Sequence, residues 1–325
     1  MVTLYNKYLS LREKDSSNDD TIFVDKIPGV SNHKIGVSKN GQPMFFISTK
    51  EKNKTKLPLD LKLIQVEFNK HCELIYKSNK KETGTYTIIK LKSESKEITK
   101  YFISNVLHII KNLGSEPSFD QIKNELNKLA SLFQVLLKKP KKTIQGLWAE
   151  LLIIEQSKDP SYLINCWHQK KSDLYDFNNG FDKLEVKSTS KSKRVHKFSL
   201  NQLQEIKDSL ILVGSIFTIE TDKGINAETL IEKIQERLNS PEEVSKLQNV
   251  VADTMGIQIE RIYDTFFDYT HALNSIKLFN VIDVPKILND SVPQEISNVK
   301  FNSDLSGIRE LTDSDFNSDL LNSIR

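Results

Sequence analysis

Cysteine is nearly absent: Cys72 and Cys166 are the only two in 325 residues, far apart and in no metal-type spacing. That excludes a disulfide framework and a thiolate metal site, and it fits a reducing cytoplasm. No apolar run approaches the roughly 18 residues that cross a bilayer, and the N-terminus has no signal-peptide pattern, so a cytoplasmic chain with no membrane partner is expected. Excess charge of one sign is also missing, with 46 Lys and Arg against 43 Asp and Glu, a formal +3. A nucleic-acid partner therefore cannot be argued from bulk charge, only from local clusters. No internal repeat of fixed period occurs. Zinc-finger, helix-turn-helix and phosphate-cradling Gly-rich patterns are absent too, which leaves no module for reading bases or binding a nucleotide.

The length suffices for one large or two ordinary domains. Residues 1–95 read mainly as strands, at 34–38, 44–48, 64–68, 72–76 and 85–91, with Asn40-Gly41 as a hairpin turn and 50–56 as a charged loop. They carry no chemical constellation. Helices are expected at about 97–113, closed by Gly114, and 119–137, opened by the capping box Ser118-x-x-Gln121. The run Lys138-Lys139-Pro140-Lys141-Lys142 then divides a β-rich N-terminal domain, 1–138, from a second domain, 139–325. It is either a solvated linker or a phosphate-contacting loop beside an active site.

Behind Thr143, a plausible N-cap, Ile144, Leu147, Trp148, Leu151 and Leu152 form a helical apolar stripe with Glu150 on its border. A carboxylate there is an ordinary exposed glutamate beside the core, or it has a partner such as a metal or a lysine.

The chemistry centres on residues 175–187. Asn179-Gly180 is a strong hairpin signal, because both residues tolerate the positive φ of a tight turn. A two-residue loop there sets Asn178 against Phe181, Asp176 against Lys183 and Leu174 against Glu185. Alternation then gives Asp176, Lys183, Glu185 and Lys187 one face, and Tyr175, Phe177, Leu184 and Val186 the other. A four-residue loop over 178–181 keeps that parity. Asp176 and Glu185 become diagonal neighbours, roughly 7–8 Å apart. Two carboxylates at that spacing suit one hard divalent cation, Mg²⁺ or Mn²⁺, on an exposed face. Lys187, pointing the same way, can hold a water or the phosphate it attacks.

Downstream, Lys191, Lys193, Arg194, His196 and Lys197 interleave with hydroxyls, which suits either a solvated surface or phosphate oxygens. Ser199-x-x-Gln202 is a second capping box, opening a helix at about 200–209, so Gln202 has a structural role and is also a candidate to touch the site. A buried strand is read at 210–220, a turn at 222–224, helices at 227–239 and 241–254, the second with Pro241 first, and strands near 266–269 and 278–284. The last thirty residues offer no motif.

Asp176, Glu185-Val186-Lys187, the run 146–152 with Glu150, Trp167, Arg194-x-His196 and Ser199-x-x-Gln202-Leu203 together resemble the bacterial family of PD-(D/E)XK motif proteins, firmly over about residues 143–203. Tyr175 stands where the nominal motif has Pro. The resemblance implies an α/β (α+β) fold with a restriction-endonuclease-like core: a short mixed sheet flanked by helices, in the order α-β-β-α-β. It implies Mg²⁺-dependent hydrolysis of DNA, with Mn²⁺ able to substitute, in prokaryotic restriction or host defence. Asp176, Glu185 and Glu150 would hold metal, Lys187 would orient water, and Lys191, Lys193, Arg194, His196 and Gln202 would contact nucleic acid. Defence partner proteins and a homodimer are compatible with it. The alternative is a catalytically silent, nuclease-like DNA-binding or scaffold subunit; an unrelated α+β domain with an accidental Glu-x-Lys would separate Asp176 from Glu185.

Overall fold

A computed structural model describes residues 4–13, 22–30, 32–51, 56–76, 78–169, 173–311 and 318–324. It resolves into two compact units: residues 1–139 with 256–260, and residues 140–255 with 261–325. Residues 52–55 of the expected charged loop and 312–317 of the motif-poor tail lie outside the described residues.

The first unit holds α1 (Leu4–Arg12) and six strands, β1 (Phe23–Lys26), β2 (Lys34–Val37), β3 (Pro43–Ile47), β4 (Leu59–Asp60), β5 (Ile64–Tyr76) and β6 (Lys81–Leu91). Their order is β1-β2-β3-β6-β5-β4, and β1 also pairs with the far end of β5, so five strands close a ring. The runs expected at 64–68 and 72–76 are one strand. Asn69 turns to φ +48 and the register against β6 shifts between Glu67 and Lys70, a bulge that bends β5 without ending it. Ile64, Val66 and Phe68 alternate inward as the period-2 pattern requires. Two helices follow, α2 (Lys96–Leu113) and α3 (Phe119–Val135). Gly114 closes the first at φ +67, and both halves of the Ser118–Gln121 box form at 3.2 and 2.8 Å.

The second unit contains α4 (Ile144–Gln156), α5 (Pro160–Cys166), β7 (Phe177–Asn178), β8 (Lys183–Thr189), β9 (Val195–Ser199), β10 (Ile211–Phe217) and β11 (Glu220–Asn226). Then come α6 (Ala227–Gln235), α7 (Pro241–Met255), α8 (Arg261–Asp264), β12 (Phe266–Phe267), α9 (Tyr269–Asn274), β13 (Lys277–Asn280), β14 (Lys300–Asp304) and α10 (Asp319–Ile324). The central sheet is mixed, in the order β13-β10-β8-β7, with β8 and β10 parallel and the outer strands antiparallel. A β-rich N-terminal region thus precedes a mixed sheet accompanied by helices, the expected class. The near-continuous apolar run of β10 is buried along almost its whole length.

Four local expectations are corrected. The helix at 200–209 is a single 3-10 turn, Leu200–Leu203. The Ser199–Gln202 capping box forms at its start, Ser199 N donating to Gln202 Oε1 at 3.0 Å, and Gln204 beyond it reaches the Ile287 carbonyl at 2.9 Å. The crossover from β8 to β10 therefore runs through β9 and that turn. Residues 222–224 lie inside β11, and Tyr269 opens α9 behind the Asp268 cap. The tail supplies β14, which pairs along all of β9.

Candidate active site

Thr143 accepts the Gly146 N–H at 3.1 Å and starts α4 where its cap predicts. This helix is buried on every side from Leu147 to Ile154. Glu150 is therefore at the centre of a buried segment, 1% exposed, and its carboxylate needs partners. Oε1 accepts from Lys142 Nζ at 2.6 Å, and Oε2 accepts from Trp167 Nε1 at 2.8 Å and lies 2.9 Å from His168 Nε2.

The chain leaving α5 delivers those two rings. Trp167 bridges to Phe177 and stacks on it at 6.4 Å between centroids. His168 takes the left-handed conformation, φ +41, which is costly for a residue with a Cβ. Its backbone N–H donates to the Asp176 carbonyl at 2.9 Å, so the strained residue is tied to the start of the hairpin.

The hairpin register differs by two residues from the expected one. Phe177 faces Leu184 and Asn178 faces Lys183, leaving 179–182 as the loop. The cause is the Asn179 side chain, whose Oδ1 accepts from Phe181 N at 2.9 Å and Asp182 N at 2.7 Å. A side chain that caps the turn in this way favours a four-residue loop over a two-residue one. A shift of two preserves parity, and continuing the ladder sets Asp176 opposite Glu185 instead of diagonal to it. Asp182 is a loop residue whose carboxylate accepts from Leu210 N at 3.0 Å and from Ser318 Oγ at 2.6 Å.

Asp176 is 3% exposed; its Oδ2 accepts from Val186 N at 2.8 Å and its Oδ1 pairs with the Lys142 ammonium. Glu185 is 4% exposed; its Oε1 accepts from Lys187 Nζ at 2.6 Å and Gln202 Nε2 at 2.7 Å. Its Oε2 is buried with no hydrogen-bond partner. The polar face expected at the surface is thus enclosed. Among the described residues, one group of three has metal-type donors within 4.8 Å of one another: Glu150, His168 and Asp176. Glu185 stands outside it, facing Lys187.

A family model described as "Putative PD-(D/E)XK family member" (DUF4420) matches residues 5–306. The chain belongs to this family. No curated protein and no solved structure matches it.

In this member of the family, the acids and cations do not balance. Three carboxylates, Glu150, Asp176 and Glu185, face two ammoniums, Lys142 and Lys187. Burial pushes Glu185 up to about 8, the Asp176 charge adding to it and Lys187 and Lys142 opposing it. Burial also raises Asp176, with Glu150 next in effect. Glu150 goes the other way, to about 2: burial works against its charged form, but Lys142 and His168 outweigh it. An excess of buried acid thus favours the protonated form of Glu185 and Asp176 more than that of an exposed carboxylate.

The basic segment is only partly available. Arg194 is 5% exposed and donates to Ser215 O at 2.7 Å, Ser215 Oγ at 2.9 Å and Ser275 O at 2.6 Å, with its guanidinium over the Phe217 ring at 4.3 Å. His196 is buried with Nε2 2.7 Å from Ser215 Oγ, and burial, with Lys187 and Arg194 nearby, lowers it to about 4. Neither presents a cation to solvent, which corrects their assignment to nucleic-acid contact. The reason is strand alternation: β9 is covered by β14 and turns His196 and Phe198 inward, Lys197 outward. Lys191, Lys193 and Lys197 are exposed. Gln202 both accepts from Ser199 N at 3.0 Å and reaches Glu185.

Lys142 and His168 are the residues that sequence reasoning missed. The basic run 138–142 is not merely a solvated linker, since its last lysine enters the site. His168 has no local signal at all; it follows Trp167 and precedes Asp176 by eight positions, and only folding brings it to Glu150.

Proposed function

We propose that this protein hydrolyses phosphodiester bonds of DNA in a divalent-metal-dependent reaction. The observation that carries the reading is the buried, acid-rich cluster of Glu150, His168 and Asp176 beside Glu185 and Lys187. Two carboxylates and an imidazole fit a divalent cation, and the imidazole favours Mn²⁺ over Mg²⁺. The orphaned Glu185 Oε2 is a further donor on the same hairpin face. A cation held there supplies Lewis acidity at the scissile phosphate and a more acidic water. Lys187, 20% exposed and held by Glu185, orients the attacked phosphate or the water. Gln202 fixes the Glu185 carboxylate from the other side. Lys191, Lys193 and Lys197 supply phosphate affinity that falls with salt. The nuclease-like family supports a DNA substrate; the resemblance of the motif residues adds a place in prokaryotic restriction or defence, with partner proteins or a second copy providing target selection.

The test is an assay on plasmid and linear DNA with Mg²⁺, Mn²⁺ or EDTA. Wild type should cut with metal, and Asp176→Ala and Glu185→Ala should abolish cutting while retaining DNA binding. Identical products from wild type and Asp176→Ala would sink the reading. One observation favours a silent scaffold instead: Lys142 already pairs with both Glu150 and Asp176. Under that reading neither protein cuts, and host protection survives Asp176→Ala.

A further inference from the structure

The Lys142 ammonium lies 2.6 Å from Glu150 Oε1, in contact with Asp176 Oδ1 and 3.4 Å from His168 Nε2. These are the three side chains whose donor atoms fall within 4.8 Å of one another. A divalent cation coordinated by carboxylates sits roughly 2.1 Å from each oxygen. An ion bridging Glu150 and Asp176 and an ammonium bridging the same two groups would therefore overlap. We propose that Lys142 and a divalent cation are alternative occupants of one position, so that metal enters this site only by displacing the lysine. The inference rests on the nuclease reading and adds a residue that sets metal affinity.

Charge and backbone both argue for exclusion. Glu150 and Asp176 together carry two negative charges; Lys142 leaves one of them uncompensated, whereas a divalent ion compensates both. Both cations together would leave a net positive charge in a buried pocket, where like charges in contact repel strongly. The exchange needs no refolding. Lys141 N is bonded to Thr254 O at 2.8 Å and Thr143 caps α4, so the backbone is fixed on either side of Lys142. The Lys142 side chain is 31% exposed, which gives its flexible stem an outward path. The design also explains how three buried acids coexist in the folded chain before metal arrives: the lysine holds two of them, and Gln202 and Lys187 hold the third.

The experiment combines amine labelling with calorimetry on the full chain. An acylating reagent and peptide mass spectrometry report the reactivity of Lys142, with exposed Lys191 and Lys193 as internal references. Lys142 should be protected in EDTA and should become labelled at saturating Mn²⁺, while the references stay constant. Calorimetry of Mn²⁺ binding to wild type and Lys142→Ala should show binding tightened at least about tenfold in the variant, because a competing cation has been removed. If Lys142→Ala does not fold, labelling of wild type decides alone. Calorimetric Mn²⁺ binding by wild type with Lys142 still protected, or equal or weaker binding by the variant, overturns the competition and leaves the nuclease reading standing. No Mn²⁺ binding by either protein overturns both.

Discussion

Each unit sets a lysine against acid, and the two are treated differently. In the first unit Lys34, 4% exposed, meets one carboxylate, Glu82 at 2.8 Å, and otherwise neutral acceptors: the Asn32 carbonyl at 3.1 Å and the Tyr86 hydroxyl at 3.3 Å. Glu82 also accepts from the Tyr76 and Tyr86 hydroxyls at 2.6 and 2.7 Å. One cation meets one anion, and Lys34 rests against the Tyr86 ring at 4.8 Å. In the second unit Lys142 meets two carboxylates, and a third has an oxygen with no partner. A balanced pair holds structure together; a lysine shared among surplus buried acid is what the proposed exchange with a divalent cation requires. The lesson is that counting charges against partners separates the two, whereas burial alone does not.

Removing the two lysines should sharpen that contrast. Lys142→Met leaves two buried carboxylates without their counter-ion and should lower stability in EDTA by roughly 3–5 kcal/mol. Lys34→Met should cost less, about 1–2 kcal/mol, because Glu82 is 36% exposed and can hydrate. Urea denaturation of both variants checks the order, and added Mn²⁺ should restore stability only to the first. Equal losses, or rescue of both, would break the comparison.

Next in size is the contrast within the basic segment. Arg194→Met strips cationic donors from the Ser215 and Ser275 carbonyls and should destabilise by about 2–3 kcal/mol. Replacing Lys191, Lys193 and Lys197 with Ala should stay within about 0.5 kcal/mol. The same triple change should flatten the salt dependence of DNA binding by about one unit per lost phosphate contact. A stable Arg194 variant with a flattened slope would return that residue to the binding surface.

The smallest effect is on pH. Burial raises Glu82, but hydrogen bonds from Lys34, Tyr76 and Tyr86 outweigh it and hold the carboxyl near 2, below its ordinary 4.5. The unfolded chain then binds the extra proton first as pH falls. The Glu82 contribution is complete above about pH 4.5 and lost between there and about pH 2. Glu82→Gln should be less stable than wild type at neutral pH, and the gap should close across that window. A gap independent of pH would mean that shape, not charge, holds the cluster.

Much of the site could be read in the residues, and the parts that could not share a cause. Asp176, Glu185 and Lys187 fall on one face through parity alone, which survived a wrong loop length because the error was an even number of residues. Thr143 and the spacing that follows place α4, yet the stripe leaves Glu150 at a border. Its full burial depends on packing around the whole helix. Arg194 and His196 read as a surface run because the segment that pairs with β9 and with Arg194 just before it, β14 and the turn after it, comes from a tail without apolar periodicity.

The sequence by itself determined what depends on near neighbours: caps, helix periods, the reversal at Asn179-Gly180 and the shared face of the motif residues. Those are settled by φ preferences and side-chain alternation within a few residues. Tertiary structure alone decided that His168 and Lys142 reach Glu150, that the motif face is enclosed, and that Arg194 turns inward. These depend on which distant segments pair and on which partners each buried charge finds, and no local rule carries that information.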